Sequence, residues 1–478
     1  SRLKGVDKLY PLHNELAYVL GEMARYGVQI DRPYVEQLRG DFERGKKAIE
    51  EQLPFNPKSN QEAVKYFKGK EILLADWKEE TIREAVEKYP EDEELALSLD
   101  YKELGNGTDR WFAPVSRDKS GNWVGYMDEK GKIHPRLGMF TSTGRLQCTS
   151  PNLQNVAKRR VDRHICECGE KKEQHPAVGH EFKGASLGKM VRRAIIASPG
   201  HYLIKADYSN AENRVFLFLG GHYIPDEVDL HLQVATIANL TPEMEFSIRM
   251  GGPREAAKSI QHAGNYLEGL QLKFPKELTT PRIKNEISKG ARLVYPEWKF
   301  GGKVVTFTGS NLARRAFGDA SFANRAKALE VASKYFAGFP GARELQKRIT
   351  RQAEVQKAII TPHGYYLLSF GDEEERCKTG AAMMGSNPVA HFTKIALVDL
   401  WRKFQKGRPL RPILQVHDEI IGEVPLHIPP EQAGGWLTES MVFETLEMKG
   451  FRLPIGNPGK GEGASYGENW RDTKAIKL

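Results

Sequence analysis

The stretch that decides the reading is "ILQVHDEIIGEV", Ile413 to Val424. Ile413–Val416 and Ile420–Val424 read as two apolar strand segments, and His417, Asp418 and Glu419 stand between them. Two like charges at the tip of an apolar hairpin repel each other and lose water. Acids also occur at ordinary hairpin turns, so the segment gains its meaning only beside a second one.

That second segment is "HYLIKADYSNAENRVFLFLGG", His201 to Gly221. An apolar run, Tyr202 to Ala206, ends at Asp207, and a helix-like pattern follows. If the two strands lie side by side, Asp207 and Asp418 converge. Converging carboxylates without a cation force one of them to take up a proton. Around divalent metals they are stable, and hard oxygen ligands suit Mg²⁺, which keeps waters and substrate phosphates as its other ligands. Two such ions ~3.5–4 Å apart clamp the attacking and leaving oxygens of an in-line phosphoryl displacement.

"PREAAKSIQHAGNYLEG", Pro253 to Gly269, supplies a third piece. Arg254, Lys258, His262 and Tyr266 recur every four residues, one slowly drifting stripe on a helix. Two cations followed by two rings suit a nucleotide, cations toward phosphates and rings toward sugar and base. A solvated basic face is the alternative for this segment taken alone.

Size and composition set the frame. The chain has 478 residues, which at ~150 residues per domain suggests about three units. Mean hydropathy is −0.53, and no run approaches the ~20 apolar residues of a bilayer span. Four cysteines do not make a disulfide framework, so a reducing, cytoplasmic setting is expected. A net charge of +9 suits a polyanion such as nucleic acid, and equally a merely basic enzyme.

Along the chain, Leu12, Leu16, Val19, Leu20 and Met23 predict a first helix stopped at Gly27. Asp31 with Pro33 predicts the cap of a second, and "SNQE", Ser59 to Glu62, a capping box opening a third. After Gly105 short apolar runs among Gly and Pro predict strands and loops to about residue 207. Residues 222–270 and 322–360 read helical, and 413–478 returns to strand and loop with one helix near 431–449. Two mixed segments far apart in sequence are thus candidates for one shared sheet.

Three separated segments now match one pattern, and the chain resembles the polymerase part of the DNA polymerase I family (family A), a Klenow-like unit of phage or viral type. "DYSNAENRV" resembles the family's first metal motif, "REAAKSIQHAGNY" its fingers-helix motif and "QVHDEI" its second metal motif. "TSTGRLQCTSPNLQNV", "VRRAIIASPGHYLIKADYS", "LDYKEL", "PFNPKSNQEAV" and "YGENW" agree in family order. The resemblance implies an α+β right-hand fold with helical thumb and fingers and a palm holding an antiparallel sheet. It places the thumb at 1–125, the palm at 126–215 and 395–478, and the fingers at 216–394.

The resemblance also implies roles. Asp207 and Asp418 would bind two Mg²⁺ ions with the Tyr208 carbonyl. Arg254 and Lys258 would grip the triphosphate of a dNTP, Lys258 would protonate pyrophosphate, and His231 would contact phosphate. Glu212 would pack beneath the sugar with Tyr266 and exclude a 2′-OH. Arg145, Asn155, Gln415 and His417 would contact primer–template DNA, and Glu419 would support the metal site. The implied activity is template-directed addition of dNTPs to a primer 3′-OH by a monomer. Competing readings are a single-subunit RNA polymerase and a catalytically inactive DNA-binding subunit.

The sequence departs from the family at several places. His262 stands where the family has Phe or Tyr, against the incoming sugar, and is expected to weaken discrimination against dideoxynucleotides. Glu255 replaces a second Arg, and residues 382–394 align loosely, with Ser386 at the family's Gln position. Residues 271–321 look inserted into the fingers. A second insertion, within 157–190, carries Cys166, Cys168, His175 and His180, whose N and S donors are candidates for a structural Zn²⁺. No exonuclease motif precedes the thumb segments, so no 3′→5′ exonuclease activity is expected from this chain: either it is a fragment of a longer polymerase, or the natural protein has lost its proofreading domain or encodes it as a separate exonuclease or processivity subunit.

Overall fold

Leucines at helical spacing open the chain as the sequence predicts. In α1 (Val6–Tyr26) Leu16, Val19, Leu20 and Met23 are all buried on one face. Gly27, at φ +72°, ends the helix by giving its N–H to the Met23 carbonyl. A short strand, β1 (Val28–Ile30), leads into α2 (Arg32–Gln52), where Asp31 accepts the Tyr34 N–H at 3.0 Å. Ser59 caps α3 (Asn60–Gly69) through the Glu62 N–H, but the Glu62 carboxylate accepts from Asn56. Only half of the predicted capping box forms. The computed structural model describes residues 6–89, 91–105, 108–117, 123–156, 161–166, 184–267, 270–273, 299–300, 303–307, 309–317 and 321–477.

α3, α4 (Glu79–Lys88) and α5 (Glu93–Gly105) close over a small core that includes Phe67, Trp77, Ile82 and Leu95. α1 does not join it. Its buried face packs with the central sheet, against Phe392, Leu397 and Trp401 among others. A hairpin of β2 (Arg136–Gly138) and β3 (Gln147–Thr149) follows, then β4 (His201–Asp207) and α6 (Ala211–Leu219).

The helical stretch after β4 contains α7 (Leu230–Ile237), α8 (Pro253–Asn265), α9 (Phe322–Gly338) and α10 (Pro340–Gln356). Between α8 and α9, among the described residues, three short antiparallel strands pair, Leu270–Lys273, Lys299–Phe300 and Lys303–Phe307. A hairpin, β5 (Ala358–Ile360) with β6 (Tyr366–Leu368), precedes the longest helix, α11 (Glu373–Gln405). The chain ends in β7 (Arg411–Val416), β8 (Glu419–Pro425), α12 (Pro430–Met441), β9 (Glu462–Gly467) and β10 (Lys474–Lys477).

β4 and the C-terminal strands do share one sheet, in the order β7-β8-β4-β9-β10, every pairing antiparallel. Period-two alternation divides its side chains between two cores. Tyr202, Ile204, Ala206, Ile420 and Val424 face the core shared with α1 and α11. Leu203, Leu414, Val416 and Ile421 face a second core with Val28, Ile30 and Trp470, and a bulge between Pro412 and Leu414 lets Ile413 join it. A third core gathers residues from Phe216 to Met384, the helical unit. α11 joins the units: its 33 residues span about 50 Å, Cys377, Ala381 and Met384 lying in the helical core and Val389, Phe392 and Leu397 in the sheet core. The domain boundary expected at residue 394 falls inside this single helix.

Candidate active site

The register of β4 on β8 brings the acids together. His201 pairs with Pro425 and the ladder runs without a break to Asp207 opposite Glu419. Asp418 is the next residue, in the tight β7–β8 turn where His417 takes a left-handed backbone, φ +60°. Glu419 is already engaged: the Trp470 indole N–H donates to it at 2.8 Å and Lys205 Nζ lies 3.2 Å away. The charge of Asp418 is felt by Tyr208, Glu212 and Arg145, and that of Asp207 by Arg192. Beyond Asp207 the chain bridges to Ile455, with Gly456 N–H on the Asp207 carbonyl and Ser209 N–H on the Pro454 carbonyl. In such a bridge the Tyr208 carbonyl points away from Ile455, to the hairpin side. The Tyr208 phenol is buried and donates to the Met441 carbonyl at 2.9 Å, which fixes this end of the strand.

α6 starts just past Asp207 and carries Glu212 in its first turn. Burial, then the Asp418 charge, push its carboxyl up to about 8, and the Arg145 guanidinium paired with it opposes that shift. Burial depresses Arg145 while Asp418 holds its proton. The sequence reading assigned Arg145 to DNA and Glu212 to the sugar; the structure joins them as an ion pair. Tyr266 sits at the C-cap of α8, one residue past the helix, and not within it. A Cβ at Gly385 would lie 3.4 Å from its ring and 3.9 Å from the Glu212 Cβ, so Tyr266 and Glu212 meet over the same turn of α11. The His262 ring is 5.5 Å from that of Tyr266, tilted by 49°.

A cleft of about 200 Å³ opens beside Asp207, lined by Tyr208, Asn210, Asp229, Arg254 and the Gly456–Gly459 loop. Pro253 starts α8 and Arg254 follows it, in the first turn, where backbone N–H groups lack helical partners. Arg254 is held by Asp229 at 2.8 Å and lies 3.5 Å from Glu255. Asp229 was missed by the sequence reading, although "DLH" has the form of a cap, and it does accept the His231 N–H at 3.0 Å. His231 is buried with Nδ1 on the Gln261 side chain, and burial, despite that bond, pulls it down to about 4. His231, expected at phosphate, therefore carries a neutral ring packed between α7 and α8.

On the other side of the hairpin Gln415 is buried and donates to the His417 carbonyl, while Gln154 donates to its Oε1 at 2.9 Å. Gln154, inside "PNLQN", was also missed. Asn155 closes the 3-10 turn Leu153–Asn155 that packs beside β7. Of the proposed zinc ligands, Cys166 ends the strand Val161–Cys166, and Cys168, His175 and His180 lie outside the described residues. Cys148 and Cys377 are free, buried thiols, raised by burial to about 11 and about 12. Among the described residues no helix is long and apolar enough to cross a membrane.

The model of DNA polymerase family A matches residues 37–269, a stretch that takes in Asp207, Glu212, Arg254, Lys258 and Tyr266. The thermostable DNA polymerase I of Thermus caldophilus is 24% identical over 99% of this chain, which carries the match through Asp418. In sequence the chain is thus similar to DNA polymerase family A. A further relative is DNA polymerase I of Helicobacter pylori, 23% identical over 86% of the chain and 39% of the relative. The chain spans about half the length of the Thermus relative, 50%. Among solved structures, the POL domain of Pol1 from M. smegmatis, in complex with DNA primer-template and dNTP, superposes with a TM-score of 0.64 at 19% identity. The match covers 96% of this chain and 70% of that one. The α+β architecture, a helical unit joined to an antiparallel sheet, is thus the fold of that POL domain.

Proposed function

We propose that this chain is a template-directed DNA polymerase that adds dNTPs to a primer 3′-OH and releases pyrophosphate. The observation that carries the reading is the β4–β8 register, which sets Asp207 opposite Glu419, the residue next to Asp418, beside a cleft that Arg254 also lines. Two carboxylates and a backbone carbonyl are a hard-oxygen set that fits Mg²⁺, the remaining ligands being water and phosphate. Asp207, Asp418 and the Tyr208 carbonyl would hold the ions, which when bound supply charge neutralisation at the reacting oxygens.

This chain's own residues then position and stabilise. The primer 3′-oxygen attacks the α-phosphorus, the bond to the β-phosphate oxygen breaks, and pyrophosphate leaves. Arg254, released from Asp229, takes the outgoing phosphates, and Lys258, one turn along α8, donates the proton that pyrophosphate needs. Tyr266 and Glu212 form the floor under the sugar and leave no room for a 2′-OH, which favours dNTPs over ribonucleotides. Contact with the primer–template is assigned to Arg145, Asn155 and His417, with Gln415 bonded to the His417 carbonyl. Base identity comes from template pairing.

Primer extension with Mg²⁺ on a defined template, beside Asp207→Ala and Asp418→Ala, tests this. Extension by the unaltered chain and a loss of at least about a thousandfold in both variants is expected, since each removes charge stabilisation at the reacting phosphate. Extension that survives either substitution overturns the assignment.

A further inference from the structure

One turn of α11 touches Glu212 and the turn that carries its partner Arg145. Gly385 lies under Tyr266 and Glu212, where a Cβ would stand 3.4 Å and 3.9 Å from them. Two residues on, Asn387 is 0% exposed and donates from Nδ2 to the Thr143 carbonyl at 3.1 Å. That carbonyl belongs to the turn joining β2 to β3, and the turn carries Arg145.

On either side of the turn tip Met139 and Leu146 are buried in the core shared with α1 and α11, which anchors its base. Internally, Gly144 gives its N–H to the Thr141 carbonyl at 3.0 Å, and the Thr141 hydroxyl donates to the Arg145 carbonyl at 2.9 Å. These bonds shape the turn without docking it. Docking comes from Asn387: Gly144, at φ +75°, lies so close that a Cβ there would stand 2.2 Å from Asn387 Nδ2. Only a glycine permits both the backbone angle and the approach. Asn387 Oδ1 is itself buried with no hydrogen-bond partner among the described residues. A buried amide using one end only is costly to retain for packing alone.

We propose that Asn387 is a positioning residue for the nucleotide pocket: it tethers the Thr141–Arg145 turn to α11, so that Arg145 meets Glu212 in the place where Gly385 and Tyr266 hold it. The inference rests on the polymerase reading for its consequence, selection of the sugar, but not for the tether itself. Arg145 and Glu212 come from segments far apart in the chain, and α11 is the element that touches both segments. Loss of the tether lets the turn drift, and Glu212 loses the guanidinium that fixes its position.

The test has two arms, both on the full chain. In the first, thermal unfolding of Arg145→Ala, Glu212→Gln and the double variant gives the coupling of the pair, with and without Asn387→Ala. A coupling present in the parent and lost with Asn387→Ala is expected; an unchanged coupling overturns the tether, whether or not the chain polymerises. In the second, selectivity between dNTP and the matching ribonucleotide is read as KM and kcat. Asn387→Ala should raise the dNTP KM about tenfold with kcat nearly kept, and add nothing on top of Arg145→Ala. Asn387→Gln, which keeps the donor, should recover part of the loss. Additive effects, or a fall in kcat at constant KM, overturn the proposal. An unaltered chain that extends no primer removes the polymerase reading and leaves the first arm to decide.

Discussion

An imidazole at position 262 brings polar nitrogens where the family has a phenyl or phenol ring. In the structure the His262 ring tilts against Tyr266 at 5.5 Å, on the face of α8 that also carries Arg254 and Lys258. A polar ring there can bond the triphosphate or sugar edge and replace a missing 3′-OH. His262→Phe is therefore expected to sharpen discrimination against dideoxynucleotides by about tenfold, one hydrogen bond's worth. Competing incorporation of dNTP and ddNTP by the two proteins checks it, and equal selectivity rejects the role. At this scale the sequence was most legible for charge and spacing. Asp207, Asp418 and the Arg254–Lys258–His262 stripe follow from local pattern, because strand ends and helix faces are local properties. Their partners were not legible. Arg145 on Glu212, Asp229 on Arg254 and Gln154 on Gln415 depend on segments brought together by the fold, and no local period records them.

Elements were read best at their ends. Asp31, Ser59 and Gly27 do what their residue types dictate, and β4 and β8 lie side by side as their shared design requires. The long helix α11 was not foreseen, because its apolar residues serve two cores at once and leave no single stripe. The end of the periodic stripe, Tyr266, falls at a C-cap for the same reason that caps exist: the backbone turns there to start the next segment. Contact between elements also hides in glycines. Gly341, in the first turn of α10, packs on the end of α6, where its Cβ would stand 1.6 Å from the Gly220 carbonyl oxygen. Backbone cannot yield as a side-chain tip does, so Gly341→Ala must push the helices apart. A loss of roughly 1–3 kcal/mol follows, typical of overpacking. Denaturant unfolding of Gly341→Ala measures it; a midpoint matching the parent's would mean the two helices separate freely.

At the scale of the whole molecule, a buried basic cluster binds β5–β6, α11 and the C-terminal segment. His363 and His391 stack at 4.0 Å and 27°, and His363 Nε2 lies 3.0 Å from the Thr445 hydroxyl. Tyr365 Oη joins His391 Nδ1 at 3.1 Å, His13 Nε2 at 3.0 Å and Lys394 Nζ at 3.4 Å. Burial pulls His363 down to about 4, and pulls His391 lower still, with the His363, Lys394 and His13 charges adding to it. Both imidazoles are neutral in the folded chain, whereas the unfolded chain takes up their protons below the ordinary value of 6.5. The stability they contribute is present above pH 6.5 and is lost as pH falls toward 4. For His363 alone that loss is on the order of 3 kcal/mol. Lys394, fully buried and depressed by burial to about 8, acts in a different window. Its contribution falls as pH drops from 10.5 to about 8 and is constant below, so it adds no slope in acid. Glu447 is the acid that faces His363, and it favours the charged ring only weakly against burial. Thermal unfolding from pH 7 to pH 4 should therefore show a steep fall in Tm for the parent chain and a shallower one for His363→Gln with His391→Gln. Parallel curves would place the acid sensitivity of the fold in its carboxylates instead, and would mean that this cluster is already protonated, or already wet, when the protein is folded.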